Sequence, residues 1–196
     1  MKNKMAQTNL ERLYKEEVIP KMTSKFKYKN QLQVPRLKKI SINMGLGKSI
    51  EDAKIAEEAA ADLALITGQK PAFRKAKKSI SNFKIRKGMT IGCVVTLRKK
   101  KMYEFLDRLF NIALPRIRDF RGISPRGVDA TGNFSLGIRE HNIFPELLSD
   151  KLTRAQGMDI SFATSATTPK ECVHLLYYLG MPFRGREGYL KEEELN

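Results

Sequence analysis

The chain predicts an α+β fold, a mainly antiparallel sheet with helices packed on one face, and three observations carry that prediction. Four segments alternate apolar and polar residues with the two-residue period of a half-buried strand. Segments of helical spacing are mixed among them without a strict strand–helix–strand rhythm. The polar members of the strands are small, hydroxylated or basic, which leaves the second sheet face open. With 196 residues, 41% of them apolar, the chain is long enough to bury a real core, and one domain over 1–184 with an acidic tail at 185–196 is expected.

Asn9 precedes Leu10, Leu13, Tyr14 and Val18, an apolar stripe that predicts an amphipathic helix ending at Pro20. Leu37–Gly45 follows as a strand, with Ile40, Ile42 and Met44 on one side and Lys39, Ser41 and Asn43 on the other. Ile55, Ala59, Leu63 and Ile66 set a second helix over Glu51–Thr67, and Gly68 is placed to cap it. Gln69–Ala76 reads as an edge strand because Pro71 cannot donate to a ladder. Ile91–Lys99 alternates Ile91, Cys93, Val95 and Leu97 against Thr96 and Arg98. Met102, Leu106, Leu109, Phe110 and Ala113 predict a helix over Lys101–Ala113, stopped by Leu114-Pro115. Phe134, Leu136 and Ile138 mark one more strand, alternating with Asn133, Ser135 and Gly137; Met158, Ile160 and Phe162 mark another. Thr168–Leu179 opens Thr-Pro-Lys-Glu, a helix start with proline first and a glutamate placed for a capping box.

The formal net charge of +16 is concentrated. Leu63–Tyr103 holds twelve lysines and arginines and no acid, and Val18–Ile50 holds eight more, again without an acid. The rest of the chain carries 17 basic against 21 acidic residues, so the positive potential belongs to two stretches. Potential gathered in this way neutralises phosphates and releases their counterions, which points to nucleic acid. No apolar run reaches membrane-spanning length and the first ten residues do not read as a signal peptide, so a cytoplasmic protein is expected, without a membrane partner. Cys93 and Cys172 read as core residues, and His141 and His174 lack ligand-spaced partners, so neither a disulfide nor a metal is expected.

Chemistry beyond binding is thin. Gly45-Leu46-Gly47-Lys48-Ser49 has the flavour of a phosphate loop, but Ile42 and Ile50 stand where its two glycine fingerprints need glycine. The glycines are read as a turn with Lys48 adding charge, and phosphoryl transfer there would require nucleotide binding that Lys48→Ala abolishes. No nucleophile–base arrangement is recognisable, no cofactor is implied and no small-molecule substrate is expected. The candidate binding surface is the open face: Lys39, Ser41, Asn43, Thr96, Arg98, Asn133 and Ser135, small or basic side chains that admit a ribose–phosphate backbone. A general single-strand binder would need stacking aromatics on the strands' polar faces, and there are none. Lys75–Gly88, with six basic residues and Phe83, reads as a protruding loop. Two roles fit its apolar side chains: Phe83 or Ile80 packing on a ribose or base, or Phe83 and Ile85 anchoring the loop to the core.

Several blocks together carry a resemblance: Ser-Ile-Asn-Met-Gly-Leu-Gly (41–47), Ile-Thr-Gly-Gln-Lys-Pro (66–71), Lys-Lys-Ser-Ile-Ser-Asn-Phe-Lys-Ile-Arg-Lys-Gly (77–88), Ala-Leu-Pro-Arg-Ile-Arg-Asp-Phe-Arg-Gly (113–122) and Gly-Asn-Phe-Ser-Leu-Gly (132–137). In order, from about Leu10 to Arg184, they resemble the bacterial family of large-subunit ribosomal protein five. The resemblance implies a structural, non-enzymatic part of the large ribosomal subunit in the cytoplasm. It implies binding to 5S rRNA and its attachment to 23S rRNA in the central protuberance beside other 5S-associated proteins. It further implies contact with P-site tRNA and a bridge to small-subunit ribosomal protein thirteen. On the family pattern the 5S contacts fall on Asn43, Gln69, Thr96 and Arg98, with Lys70 beside Gln69 in the Gly-Gln-Lys-Pro turn; Gln69 rests on the resemblance alone. Lys77, Lys78, Ser79, Phe83, Lys84 and Arg86 resemble the tRNA-facing loop. Two departures stand out. Lys99 occupies a position where many members have glycine and is expected to extend the phosphate-contacting edge. Gly185–Asn196, with Glu187, Glu192, Glu193 and Glu194, runs past the usual end, as a mobile acidic tail or a lineage-specific contact.

Overall fold

The computed structural model describes residues 8–47, 53–147 and 155–184. Lys48, Ser49, the expected start of the second helix at Glu51 and the acidic tail 185–196 lie outside the described residues. Five strands form one sheet: β1 (Leu37–Gly45), β2 (Ala72–Lys75), β3 (Thr90–Leu97), β4 (Phe134–Ile138) and β5 (Met158–Thr164). Their order is β2-β3-β1-β5-β4, and every neighbouring pair is antiparallel. The short Pro71-preceded β2 is an edge, where a missing ladder donor is tolerated.

One sheet face is the floor of the core. Ile40, Ile42 and Met44 of β1, Cys93, Val95 and Leu97 of β3, and Ile160 and Phe162 of β5 are all buried there, as the alternation requires. The roof is helical. Helix α3 (Ala53–Thr67) packs on β3, and α4 (Lys99–Arg108) packs on β1 and on the N-terminal helix. Leu63, Ile66, Phe105 and Leu106 are their fully buried contributions. Gly68, at φ +61°, ends α3 in the left-handed conformation that glycine takes without Cβ strain. Lys101 Nζ (2.9 Å to Gly68 O) and Arg108 Nη2 (2.7 Å to Ile66 O) then donate to the carbonyls at this negative helix end.

The N-terminal helix departs from expectation: it does not stop at Pro20. It runs as α1 (Asn9–Leu13), a wide π turn (Tyr14–Val18) and α2 (Ile19–Phe26), with Pro20 in the first turn of α2. The same device recurs after α4, where a π turn (Leu109–Ala113) precedes Pro115. In both cases the turn ends two residues before the proline, so the carbonyl that its ring would strike, on Glu16 or Asn111, lies in the middle of the widened turn. A proline read as a stop is in the first case a wide step in a continuing helix.

Helix α5 (Pro169–Tyr178) opens with the complete capping box expected of Thr168 and Glu171, worth about 1 kcal/mol. Tyr28 Oη also donates to Glu171 Oε1 at 2.8 Å and ties the N-terminal segment to this helix. Burial pushes the Glu171 carboxyl up, but the hydrogen bonds from Thr167, Tyr28 and Thr168 outweigh it and leave it below its ordinary value. Both histidines are structural. His141 is fully buried, its Nδ1 accepting from Gln156 N–H at 3.1 Å and its Nε2 3.1 Å from Asp62 Oδ2, while His174 packs edge-on to Phe26. Burial raises the thiols of Cys93 and Cys172 to about 11 and about 12, so both stay protonated and unreactive.

Candidate nucleic-acid interface

The strand register lines up side chains that are far apart in sequence. Thr96 pairs with Ser41, Ser41 with Ser161, and Ser161 with Ser135, so four hydroxyl residues cross β3, β1, β5 and β4 in one row. Three strand spacings make that row about 14 Å long. Ser135 Oγ and Ser161 Oγ lie 3.3 Å apart, whereas Ser41 and Thr96 leave their hydroxyls without a protein partner among the described residues. The adjacent row runs Ala72, Val94, Asn43, Asp159, Gly137. Gly92 lies just beyond, and a Cβ there would come within 3.0 Å of Met44 O and 3.8 Å of Asn43 Oδ1, so its bare backbone keeps the space beside Asn43 open. The helices pack on the opposite side, and Lys39 and Asn43 are exposed.

Lys39 and Arg98 stand exposed at the rim and form no ion pair among the described residues. A β-bulge between Leu37 and Lys39 turns both Lys38 and Lys39 outward. Arg98 lies past the end of β3, at the cap of α4, rather than within the strand. Gln69 comes to the same place: its Nε2 donates to Thr96 O at 3.4 Å, with Lys70 exposed beside it. Asn133 differs from the rest. Its Nδ2 donates to Asp129 Oδ2 (3.0 Å) and Thr131 Oγ1 (2.9 Å), and its Oδ1 accepts from Thr164 N–H (3.2 Å). The side chain is occupied in folding the turn before β4, and its hydrogen bond is the leading reason that the Asp129 carboxyl sits below its ordinary value.

The segment expected to protrude as a basic loop, Lys75–Gly88, holds a small hairpin at its centre. Ile80 and Ile85 exchange backbone hydrogen bonds (2.8 and 3.1 Å), a tight turn spans Ser81–Phe83, and Lys84 closes it at φ +54°. Ser79 Oγ accepts from Lys87 N–H at 3.0 Å, so this hydroxyl braces the hairpin. Phe83 is 68% exposed and Ile80 46%, which settles the two roles against anchoring for Phe83; Ile85 is half-buried. Lys77, Lys78, Lys84 and Arg86 are exposed around it.

Lys99 proves to be more than one link in a basic run: it sits at φ +51° at the head of α4. A left-handed L-residue costs about 1–2 kcal/mol, part of which glycine returns through its greater unfolded-state freedom. Lys99→Gly is expected to raise stability by about 0.5–1 kcal/mol, read as a higher urea midpoint at unchanged slope.

Sequence reasoning did not place Ser161 and Asp159 on this surface, although the alternation of β5 sets them opposite Met158, Ile160 and Phe162. The missing information was which strands flank β5. Comparison with known proteins agrees along the chain. Residues 30–86 match the ribosomal protein L5 family, and residues 90–183 match the C-terminus of the same ribosomal protein family. Large ribosomal subunit protein uL5 of Clostridium botulinum (strain Eklund 17B / Type B) is 56% identical over 176 residues, 90% of this chain and 98% of that protein. The uL5 proteins of Syntrophus aciditrophicus (57% over 171 residues, 87% and 96% covered) and Chlorobium phaeobacteroides (57% over 175 residues, 89% of each) are similar to the same extent.

Proposed function

The chain belongs to the ribosomal protein L5 family, and from that premise we propose that its open sheet face binds 5S rRNA and holds it against 23S rRNA in the central protuberance. As a large-subunit protein it is a non-enzymatic constituent of the cytoplasmic ribosome, works in translation and has ribosomal RNA as partner. The observation that carries the finer reading is a sheet face that no helix among the described residues covers, on which Asn43, Ser41 and Thr96 keep unspent hydrogen-bonding groups between Lys39 and Arg98, cations without an ion pair among those residues. Gln69 joins them through Thr96, and Lys70 adds charge. Such a surface meets phosphates at its rim and ribose or base edges at its centre, by shape and charge without turnover.

The hairpin around Phe83 extends this reading to P-site tRNA: an exposed aromatic ringed by Lys77, Lys78, Lys84 and Arg86 suits a folded RNA backbone with one stacking contact. The bridge to small-subunit ribosomal protein thirteen and the contacts with other 5S-associated proteins rest on the family alone.

The test is 5S rRNA binding at graded salt. Wild-type protein binds tightly, with affinity falling steeply as salt rises; flat salt dependence overturns the reading. Lys39→Ala with Arg98→Ala lowers the slope of log affinity against log salt by roughly 2, at about 1 kcal/mol per lost phosphate contact. Lys77→Ala with Lys78→Ala leaves 5S affinity within about twofold and weakens tRNA occupancy of the P site in reconstituted ribosomes. Collapse of 5S binding in that variant would place the hairpin on the 5S interface instead.

A further inference from the structure

We propose that Asp159 is a specificity-determining residue of the open face, accepting a hydrogen bond from a minor-groove donor of an A-form RNA helix. The inference rests on the 5S-binding reading. In an otherwise cationic surface Asp159 is a carboxylate on the middle row, exposed, flanked in register by Asn43 on β1 and Gly137 on β4. Gly137 has no side chain to screen it; even a Cβ built there would only reach 3.6 Å from Asp159 Oδ1. Asp159 makes no hydrogen bond and no ion pair among the described residues, so no fold interaction explains it.

The nearest cation by register is Arg139, exposed two residues past Gly137, and the others lie farther off. Lys39 is in register with Ala163, four residues along β5 from Asp159, or about 13 Å. Arg74 pairs with Gly92 on the far side of β1, about three strand spacings, or 14 Å, away. Both separations exceed the screening length of about 8–10 Å at physiological salt, and the nearer Arg139 forms no ion pair with Asp159 among the described residues, so a phosphate set over Asp159 would meet a carboxylate with no proton to donate to it. What can sit there is a donor. A-form RNA offers two on its wide, shallow minor groove, the ribose 2′-hydroxyl and the guanine 2-amino group, while its phosphates ride on the rim cations. The carboxylate therefore sets the groove over the centre of the sheet and rejects a backbone laid across it.

The two explanations of Asp159 predict opposite signs. A bare carboxylate tolerated among phosphates makes Asp159→Ala and Asp159→Asn bind 5S rRNA more tightly. A donor-reading carboxylate makes Asp159→Ala bind at least tenfold more weakly, with an unchanged salt slope and an unchanged urea midpoint. Equal or tighter binding of Asp159→Ala overturns the inference while leaving the functional reading intact; failure of the wild type to bind 5S rRNA removes both. Sparse substitution of 5S transcripts separates the donors. Inosine positions that weaken wild-type but not Asp159→Ala binding identify the guanine amino group, and 2′-deoxy positions that do so identify the hydroxyl. Absence of either class also overturns it.

Discussion

Phe162→Ala is expected to destabilise the protein by about 3–5 kcal/mol, a large share of the stability of a domain of this size. Phe162 is fully buried on β5, in register with Ile40 of β1 and Phe134 of β4, and its ring lies 5.8 Å from that of Phe134. Phe134 in turn meets Phe183 edge-on at 5.7 Å, so truncation opens a cavity between the sheet and the segment that closes the domain. Neighbours held by strand pairing cannot collapse into it, which puts the cost at the upper part of the range for a large aromatic. Urea unfolding reads the change as a lower midpoint with unchanged slope. A loss below about 1 kcal/mol would show that this ring is not central to the core.

Asn43→Ala and Thr96→Val are each expected to weaken 5S rRNA binding by about 1–3 kcal/mol, the cost of leaving an interface hydrogen-bonding group unpaired. Neither side-chain polar group has a protein partner among the described residues, so both variants should keep the wild-type unfolding midpoint. Filter binding with purified 5S rRNA measures the affinity, and wild-type affinity in both variants refutes these contacts. The two predictions divide the sheet by face. Phe162 on the packed side moves stability and leaves the affinity of the folded protein alone, while Asn43 on the open side does the reverse.

Much of the fold is legible because its signals are local. The bounds of β1, the capping box of Thr168 and Glu171, the glycine cap at Gly68 and the face carrying Ile40, Ile42 and Met44 follow from spacing within one element. The misread features are cases where a local rule met a non-local alternative. Pro20 is a helix breaker only if the preceding turn cannot widen, and Asn133 is a free polar side chain only if Asp129 and Thr164 are not beside it. The hairpin at Ile80 and Ile85 is too short to leave a periodic trace.

The sequence by itself determined the class of the protein: the strand and helix periods, the two acid-free stretches that demand a phosphate-bearing partner, and the ordered blocks that mark the family. Tertiary structure alone decided which side chains share the open face proposed to bind RNA. Thr96, Ser41, Ser161 and Ser135 form a row, and Asp159 stands beside Asn43, only because β1 is paired between β3 and β5 in one particular register. That register is fixed by the fit of buried side chains on the opposite face. A slip of one residue would turn Ile40, Ile42 and Met44 into water, and no short window of sequence contains that energy.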